Sequence, residues 1–199
     1  SFNIDYWRYD TIMAAHGRDI PTAVGVKHIR PANPVFAYLG DGAAYSIGMA
    51  ETVHAALRND NICVFVVNNS VFGMTGGQMA PTTLLGMKTA TTPYGRDPRL
   101  NGYPYKIAEM TAHLDGATYI TRQSVHTAAN VRKCKKAIRK AFENEKEKRG
   151  LSIIEVLSTC PTNWGMSPTE SMQFVKDKMI PYYPLGVYKD VTAEEGAKA

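Results

Sequence analysis

The chain is poor in cysteine, has no two cysteines close together, and contains no long apolar run. Each of these lacks removes a class of protein. Cys63, Cys134 and Cys160 are scattered over 199 residues with no C-x-x-C between them. Neither a disulfide scaffold nor a zinc ribbon can be built from that set, and the odd, scattered count points to a reducing, cytoplasmic setting. The longest apolar run is Ile62-Cys63-Val64-Phe65-Val66-Val67, well short of the about 20 residues that cross a bilayer. Residues 1–15 carry Asp5, Arg8 and Asp10 and have no apolar core of the length a secretory signal needs. A strong charge imbalance is also missing. Twenty-three Lys and Arg against 18 Asp and Glu leave +5, a modest excess that reads as solvated surface and not as a nucleic-acid footprint.

What remains is an ordinary globular composition, 44% hydrophobic and 21% charged. Val35 to Leu39 reads as a buried strand, 43–58 as a helix with Ala44, Ile47, Val53, Ala56 and Leu57 at helical spacing, and Ile62 to Val67 as a second buried strand. That is a β-α-β unit, whose strands are parallel with a right-handed crossover. Helices are expected over 19–30, 106–114 and 127–148, and strands over 117–122 and 151–157. Residues 158–165 read as loop. A last helix is expected from a capping box at Ser167-Pro168-Thr169-Glu170 to about Met179, stopped by Pro181. Residues 70–104 read as a long loop, and its Phe, Met and Tyr content argues against disorder. The alternation predicts an α/β fold, a mainly parallel sheet with helices on both faces, in one domain over 1–190 with a frayed tail over 191–199. The basic helix 127–148 is expected to present a solvated face, with Cys134 in the core like Cys63.

Ligands of open α/β sheets bind beyond the carboxyl ends of the strands. Asp41 and Asn69 both leave strands at that edge, and 69 − 41 = 28 positions separate them. One carboxylate and one amide oxygen suit magnesium, which takes hard oxygen ligands and keeps water and phosphate oxygens as the rest of its shell. Gly40 and Gly42 permit close approach of a ligand, and the helix beginning near Ala43 offers free N–H groups to an anion. The physical reading is a magnesium–diphosphate site. Gly-Asp-Gly alone is an ordinary turn and Asn-Asn an ordinary loop. The pair, with strand, helix and strand between them, is much more specific.

Gly40-Asp41-Gly42 followed by Asn68-Asn69 resembles the thiamine diphosphate motif. The continuation Ser70-Val71-Phe72-Gly73-Met74-Thr75-Gly76-Gly77-Gln78-Met79-Ala80-Pro81-Thr82-Thr83 resembles the β subunit of 2-oxoacid:ferredoxin oxidoreductases. So do His16-Gly17-Arg18, Pro93-Tyr94-Gly95-Arg96-Asp97-Pro98, Ser158-Thr159-Cys160-Pro161-Thr162-Asn163-Trp164-Gly165 and Ile180-Pro181-Tyr182-Tyr183-Pro184-Leu185-Gly186. The resemblance implies a thiamine diphosphate-binding fold. It implies Mg²⁺ on Asp41, the Asn69 side chain and the Val71 carbonyl, with Gly42, Ala43 and Thr75 against the diphosphate and Gln78 close by. It further implies oxidative decarboxylation of a 2-oxoacid to an acyl-coenzyme A with electron transfer to ferredoxin, the branched-chain or 2-oxoglutarate type being favoured. Pyruvate fits the family as well.

The family holds a 4Fe–4S cluster with an upstream C-x-x-C, a further upstream Cys and a later one. Cys160 matches the later Cys. The upstream ones have no counterpart here, and the opening Ser1-Phe2-Asn3-Ile4-Asp5 leads us to expect that an amino-terminal segment carrying them is missing. Cys160 is then expected to face the amino-terminal end of the chain. A non-oxidative thiamine diphosphate decarboxylase or synthase subunit is the alternative that needs no iron. His16 is the catalytic candidate, a loop donor beside the substrate or the diphosphate, with Arg18 next to it. Lys88 and Arg96 read as surface charges or subunit contacts. Gly76 stands where many relatives have Lys, so substrate preference does not transfer from them. Glu51 lies within the helix after the motif, about two and a half turns from the site edge, so no residue here can activate the aminopyrimidine. The resemblance supplies that Glu from an α subunit, with further small subunits possible, ferredoxin as acceptor, and neither nucleic acid nor membrane as partner.

Overall fold

The structure is a computed structural model and describes residues 6–196. Expectations that rest on Ser1–Asp5 and on 197–199 lie outside the described residues. Helix α1 (Asp19–Ile29) leads into β1 (Phe36–Gly40). A π-helical turn (Ala43–Ile47) and α2 (Met49–Arg58) carry the chain to β2 (Cys63–Asn68). The single helix expected over 43–58 is therefore two segments meeting at Gly48. The break has a steric cause. The His16-Gly17-Arg18 turn crosses the chain there, and a Cβ on Gly17 would lie 2.7 Å from the Gly48 nitrogen, while one on Gly48 would lie 2.6 Å from the Gly17 carbonyl oxygen. Only two glycines let the backbones touch, and Gly17 also has φ +76. Asn59 ends α2 in the left-handed conformation, φ 53, its N–H bonded back to the last turn.

The stretch 70–104 is more ordered than expected. It holds a two-stranded hairpin, β3 (Val71–Phe72) and β4 (Gln78–Met79), and a short helix, α3 (Pro98–Asn101). Its organiser is Arg96, which is buried and not the surface charge expected. Its guanidinium donates to the carbonyls of Ala80 (3.3 Å), Pro81 (2.9 Å), Thr83 (2.7 Å), Asn101 (3.2 Å), Gly102 (3.0 Å) and Tyr103 (2.9 Å). A planar fork with five N–H groups gathers carbonyls that no periodic pattern could have paired. Lys88 is exposed, as expected.

Beyond the loop come α4 (Ile107–Ala112), β5 (Tyr119–Ser124), α5 (Ala128–Lys146), β6 (Ser152–Leu157), α6 (Pro161–Trp164) and α7 (Pro168–Phe174). The capping box of α7 is present, with Ser167 and Glu170 bonded reciprocally. The helical path does not stop at Pro181. A second π turn (Val175–Met179) runs into α8 (Ile180–Tyr182). Pro181 falls just after a turn where the regular ladder is already interrupted, so its missing N–H breaks no further bond. β7 (Gly186–Asp190) was not expected. It is a short edge strand antiparallel to β5, tied down by Lys189, whose ammonium donates to the carbonyls of Leu114 (2.5 Å), Asp115 (3.0 Å) and Gly116 (2.6 Å). The expected frayed tail begins instead as a helix, α9 (Val191–Gly196).

The sheet order is β1-β2-β6-β5-β7, parallel except for β7. Alternation along β2 sorts the core into two layers. Val64 and Val66 face Ile20 and Val24 of α1, Ala55 and Ala56 of α2, and Ile107 of α4. Cys63 and Phe65 face Ala137 and Ala141 of α5. Helices thus cover both faces, as the β-α-β reading predicts. Cys134 is buried under α5 while Arg132, Lys133, Lys135, Lys136 and Arg139 are exposed.

Arg96→Lys keeps the charge and loses the fork. We expect limited proteolysis within 80–104 to accelerate at least ~10-fold and the melting temperature to fall by several degrees, on about 1.5–3 kcal/mol for each charge-assisted bond lost. Unchanged cleavage would show that the loop does not depend on Arg96.

Candidate active site

The parallel register brings the two motif residues to one edge. Gly40 sits opposite Val67, and Asn68 opposite Leu157. Asp41 and Asn69, the next residues along β1 and β2, therefore leave the sheet side by side at its carboxyl edge.

Asp41 is 2% exposed. Its carboxylate accepts a short hydrogen bond from the Thr82 hydroxyl, and the backbone N–H groups of Gly42 and Ser70 also face it. Among the described residues no Lys or Arg pairs with it. Burial pushes its pKa up to about 7, against the pull of those three donors, and the nearby Glu155 raises it further. A buried carboxylate without a countercharge fits a site made for a cation. Behind it, the Phe72 ring lies so close to Gly42 that a Cβ would sit 2.2 Å from Cε1, so a larger residue there would have to displace the ring.

Asn69 follows a tight turn. Ser70 has φ 60, an uncommon conformation for a residue with a side chain. Its N–H donates to Asn68 Oδ1 at 3.1 Å, and its carbonyl accepts from the Thr83 hydroxyl at 2.5 Å. Asn69 Oδ1 accepts a long bond from the Val71 N–H, 3.3 Å, and its carbonyl accepts from Trp164 Nε1 at 3.2 Å. Asp41 after β1 offers a carboxylate, and Asn69 and Val71 after β2 an amide oxygen and a carbonyl oxygen, a hard donor set. Among the described residues no three His, Cys, Asp or Glu side chains gather around a point, so no softer metal set competes with it.

The other predicted residues fall around this point in differing ways. Gly40 ends β1, and Ala43 opens the π turn after Gly42. Thr75 and Gln78 close the β3–β4 hairpin on each other: the Thr75 hydroxyl donates to Gln78 Oε1 at 2.6 Å, and Gln78 Nε2 to the Thr75 carbonyl at 2.7 Å. Both lie on the segment that starts at Asn69. Cys160 lies beyond the carboxyl end of β6, half-buried. Its sulfur would be 3.3 Å from a Cβ on Gly73 and accepts from Asn163 Nδ2 at 3.1 Å, and the same amide donates to the Gly73 carbonyl at 2.8 Å. Among the described amino-terminal residues, Trp7 packs on Phe36 and Tyr38 of β1, each ring centroid 5.4 Å away. His16 is exposed on the turn that crosses Gly48, and no hydrogen bond joins it to Asp41 or Asn69. Arg18 pairs with Glu51.

Sequence reasoning missed the support beneath the edge. Asn68 Nδ2 donates to Glu155 Oε1 at 2.7 Å, and Arg122 Nε donates to Glu155 Oε2 at 2.7 Å. Arg122 and Glu155 are both 0% exposed. Arg122 also meets Glu109, Nη2 to Oε2 at 2.6 Å, and lies over the rings of Tyr183 and Tyr188. Tyr183 Oη in turn donates to the Thr82 carbonyl at 2.8 Å. One signal was present: Glu155 interrupts a strand that otherwise reads as largely apolar, and Arg122 lies in the buried strand beside it.

Comparison with known proteins agrees with this geometry. The family described as thiamine pyrophosphate enzyme, C-terminal TPP binding domain, matches residues 3–156. Over 191 residues the chain is 40% identical to ketoisovalerate oxidoreductase subunit VorA of Methanothermobacter marburgensis, covering 95% of this chain and 40% of the relative. It is 36% identical to 2-oxoglutarate synthase subunit KorB of Archaeoglobus fulgidus, covering 96% of this chain and 70% of the relative. The structure of a 2-oxoglutarate:ferredoxin oxidoreductase from Magnetococcus marinus, with 2-oxoglutarate, coenzyme A and succinyl-CoA bound, superposes with a TM-score of 0.67 at 25% identity, covering 92% of this chain and 67% of that one. The chain thus spans less than half the length of the ketoisovalerate relative. No helix among the described residues is long and apolar enough to cross a membrane.

Asp41 has a folded pKa of about 7 against 3.8 when free. Its raised value means that the protonated form is favoured by folding, so stability falls as pH rises from about 4 to 7 and is level above. Asp41→Asn removes the charge and keeps an acceptor for Thr82. Without added metal, we expect urea unfolding to find the variant more stable than the parent by roughly 2–4 kcal/mol at pH 8, converging at pH 4. A pH-independent difference would show that Asp41 does not carry the shift.

Proposed function

The chain belongs to the thiamine pyrophosphate enzymes, among the β subunits of 2-oxoacid:ferredoxin oxidoreductases, and from that premise we propose that it is the half of the catalytic site that holds thiamine diphosphate and Mg²⁺. The observation that carries the reading is the convergence of the buried, cation-free Asp41 carboxylate with the Asn69 amide at the carboxyl edge of the sheet. In this reading Asp41, Asn69 Oδ1 and the Val71 carbonyl hold the metal. Gly40, Gly42, Ala43 and Thr75 lie against the diphosphate, with Gln78 close by. When bound, the cofactor supplies the carbon nucleophile and electron sink that decarboxylation of a 2-oxoacid requires.

The chain's own residues orient and desolvate. Thr82 and the Gly42 and Ser70 amides aim the Asp41 carboxylate, and Trp164 holds the Asn69 carbonyl away from the metal. His16 is placed on an exposed turn where it can meet substrate only once the rest of the assembly covers it. Glu51 is turned to Arg18 and in this reading is not the activating carboxylate. An α subunit supplies it in this proposal, and the site is shared. Cys160 provides one thiolate to a 4Fe–4S cluster whose other ligands lie in the rest of the subunit, and electrons leave to ferredoxin. The substrate is a 2-oxoacid of the branched-chain or 2-oxoglutarate type, the product its coenzyme A ester, and the setting cytoplasmic. The names of the VorA and KorB relatives support that substrate class.

Calorimetric titration of the full-length subunit with thiamine diphosphate should show binding that requires Mg²⁺, and Asp41→Ala should abolish it with the fold intact. Unchanged affinity in that variant would overturn the assignment. In the complete complex, Cys160→Ser should lower iron content and slow ferredoxin reduction. Serine keeps an acceptor for Asn163, so cofactor affinity should stay within about threefold, because a single neutral hydrogen bond is worth about 1 kcal/mol or less. Iron content that ignores the substitution would remove Cys160 from the cluster.

A further inference from the structure

Beneath the proposed metal site runs a chain of hydrogen bonds that ends in a fully buried charge. Arg122 on β5 and Glu155 on β6 are register partners, and Glu155 is also the register partner of Val66 on β2. Asn68, two residues beyond Val66, is therefore on the same face of the sheet. Its amide has both ends occupied: Nδ2 donates to Glu155 Oε1 at 2.7 Å, and Oδ1 accepts from the Ser70 N–H at 3.1 Å. The second bond closes the turn in which Ser70 takes φ 60, a conformation that costs about 1–3 kcal/mol unless its surroundings enforce it. That turn aims Asn69 and Val71, and it presents the Ser70 N–H to Asp41 as well.

We infer that Asn68 and Glu155 are positioning residues for the metal site, Glu155 fixing the orientation of the Asn68 amide and Asn68 holding the left-handed turn that carries Asn69 and Val71 to the metal. Three features make this more than generic packing. An asparagine amide is symmetric in shape and could turn over. The Ser70 N–H only donates and the Glu155 carboxylate only accepts, so the two partners together fix which end of the amide faces which. The other oxygen of Glu155 accepts from Arg122 Nε at 2.7 Å, so the carboxylate that meets Asn68 is itself fixed in place. The turn is strained, so without the Asn68 acceptor it has a nearby alternative to relax into. Neither residue reaches the metal itself. This inference rests on the proposed Mg²⁺–thiamine diphosphate reading and deepens it.

The test is the Mg²⁺ concentration for half-maximal thiamine diphosphate binding, read by calorimetry on the full-length subunit. Asn68→Ala is expected to raise it at least 10-fold while thiamine diphosphate at saturating Mg²⁺ still binds. Glu155→Gln keeps size and shape but lets the amide of Asn68 turn over, and is expected to raise it 3- to 10-fold. Because the two act in series, the double variant should be no worse than Asn68→Ala alone. Cys134→Ala, a core truncation under α5 remote from this edge, lowers the melting temperature and should leave the half-maximal Mg²⁺ concentration unchanged. A purely structural role would move the melting temperature in all variants and the Mg²⁺ requirement in none. A shift below twofold in Asn68→Ala overturns the inference, as does an equal shift in Cys134→Ala. If Asn68→Ala does not fold, Glu155→Gln decides alone by the same twofold criterion. Absence of Mg²⁺-dependent binding in the unsubstituted protein would instead overturn the functional reading, and the two failures are therefore distinct.

Discussion

The buried ion pair between Arg122 and Glu155 is the constraint on which the carboxyl edge depends. Two full charges with no exposure are expensive to bury, and removing one partner would strand the other at a cost of about 3–5 kcal/mol. The pair is completed on every side. Glu109 and the two tyrosine rings take the rest of Arg122, and Asn68 takes the second oxygen of Glu155. Apolar residues in the same places could serve stability as well or better. What an apolar core could not do is orient the Asn68 amide or set the Ser70 turn. The charge pair spends burial on orientation, at the one edge where orientation matters.

A second buried cation does similar work for the loop above. Arg96 collects carbonyls from 80–83 and from 101–103, and so fixes the segment that carries Thr82 and Thr83. Thr82 bonds Asp41, Thr83 bonds the Ser70 carbonyl, and Tyr183 bonds the Thr82 carbonyl from the far end of the chain. The Asp41 carboxylate is thereby held among neutral donors with no cation beside it. Its raised pKa is the electrostatic trace of that arrangement.

The carboxyl end of β6 is tied to the same loop. Cys160, Asn163 and Trp164 contact Gly73 and Asn69 directly, although more than eighty positions separate them in sequence. The proposed electron-transfer thiolate and the proposed cofactor loop therefore share one set of contacts. Asn163 joins them, its amide bonding both the Cys160 sulfur and the Gly73 carbonyl.

The parallel α/β architecture, β1, β2, α1, α5, the capping box of α7 and the pairing of Asp41 with Asn69 at one sheet edge were all legible in the residues, because hydrophobic period, turn chemistry and the fixed handedness of β-α-β units are local rules. The order within 70–104, the continuation of the helix through Pro181 and the edge strand β7 were not. Each depends on backbone geometry that appears only in the fold: carbonyls gathered by Arg96 for the loop, a π turn just before Pro181 for the helix, and pairing with β5 for the edge. Arg96 read as a surface charge because a lone arginine in a polar loop usually is one. Its burial follows from six carbonyls converging, which only the folded backbone arranges. Glu155 could have been flagged as a charge within a largely apolar strand, and Arg122 as the opposite charge in the strand beside it. Their consequence for Asn68 could not, since it depends on register across three strands. By itself the sequence determined which residues meet at the edge. How they are aimed was decided by buried hydrogen bonds between residues distant in the chain, because direction is a property of three-dimensional partners and not of composition or period.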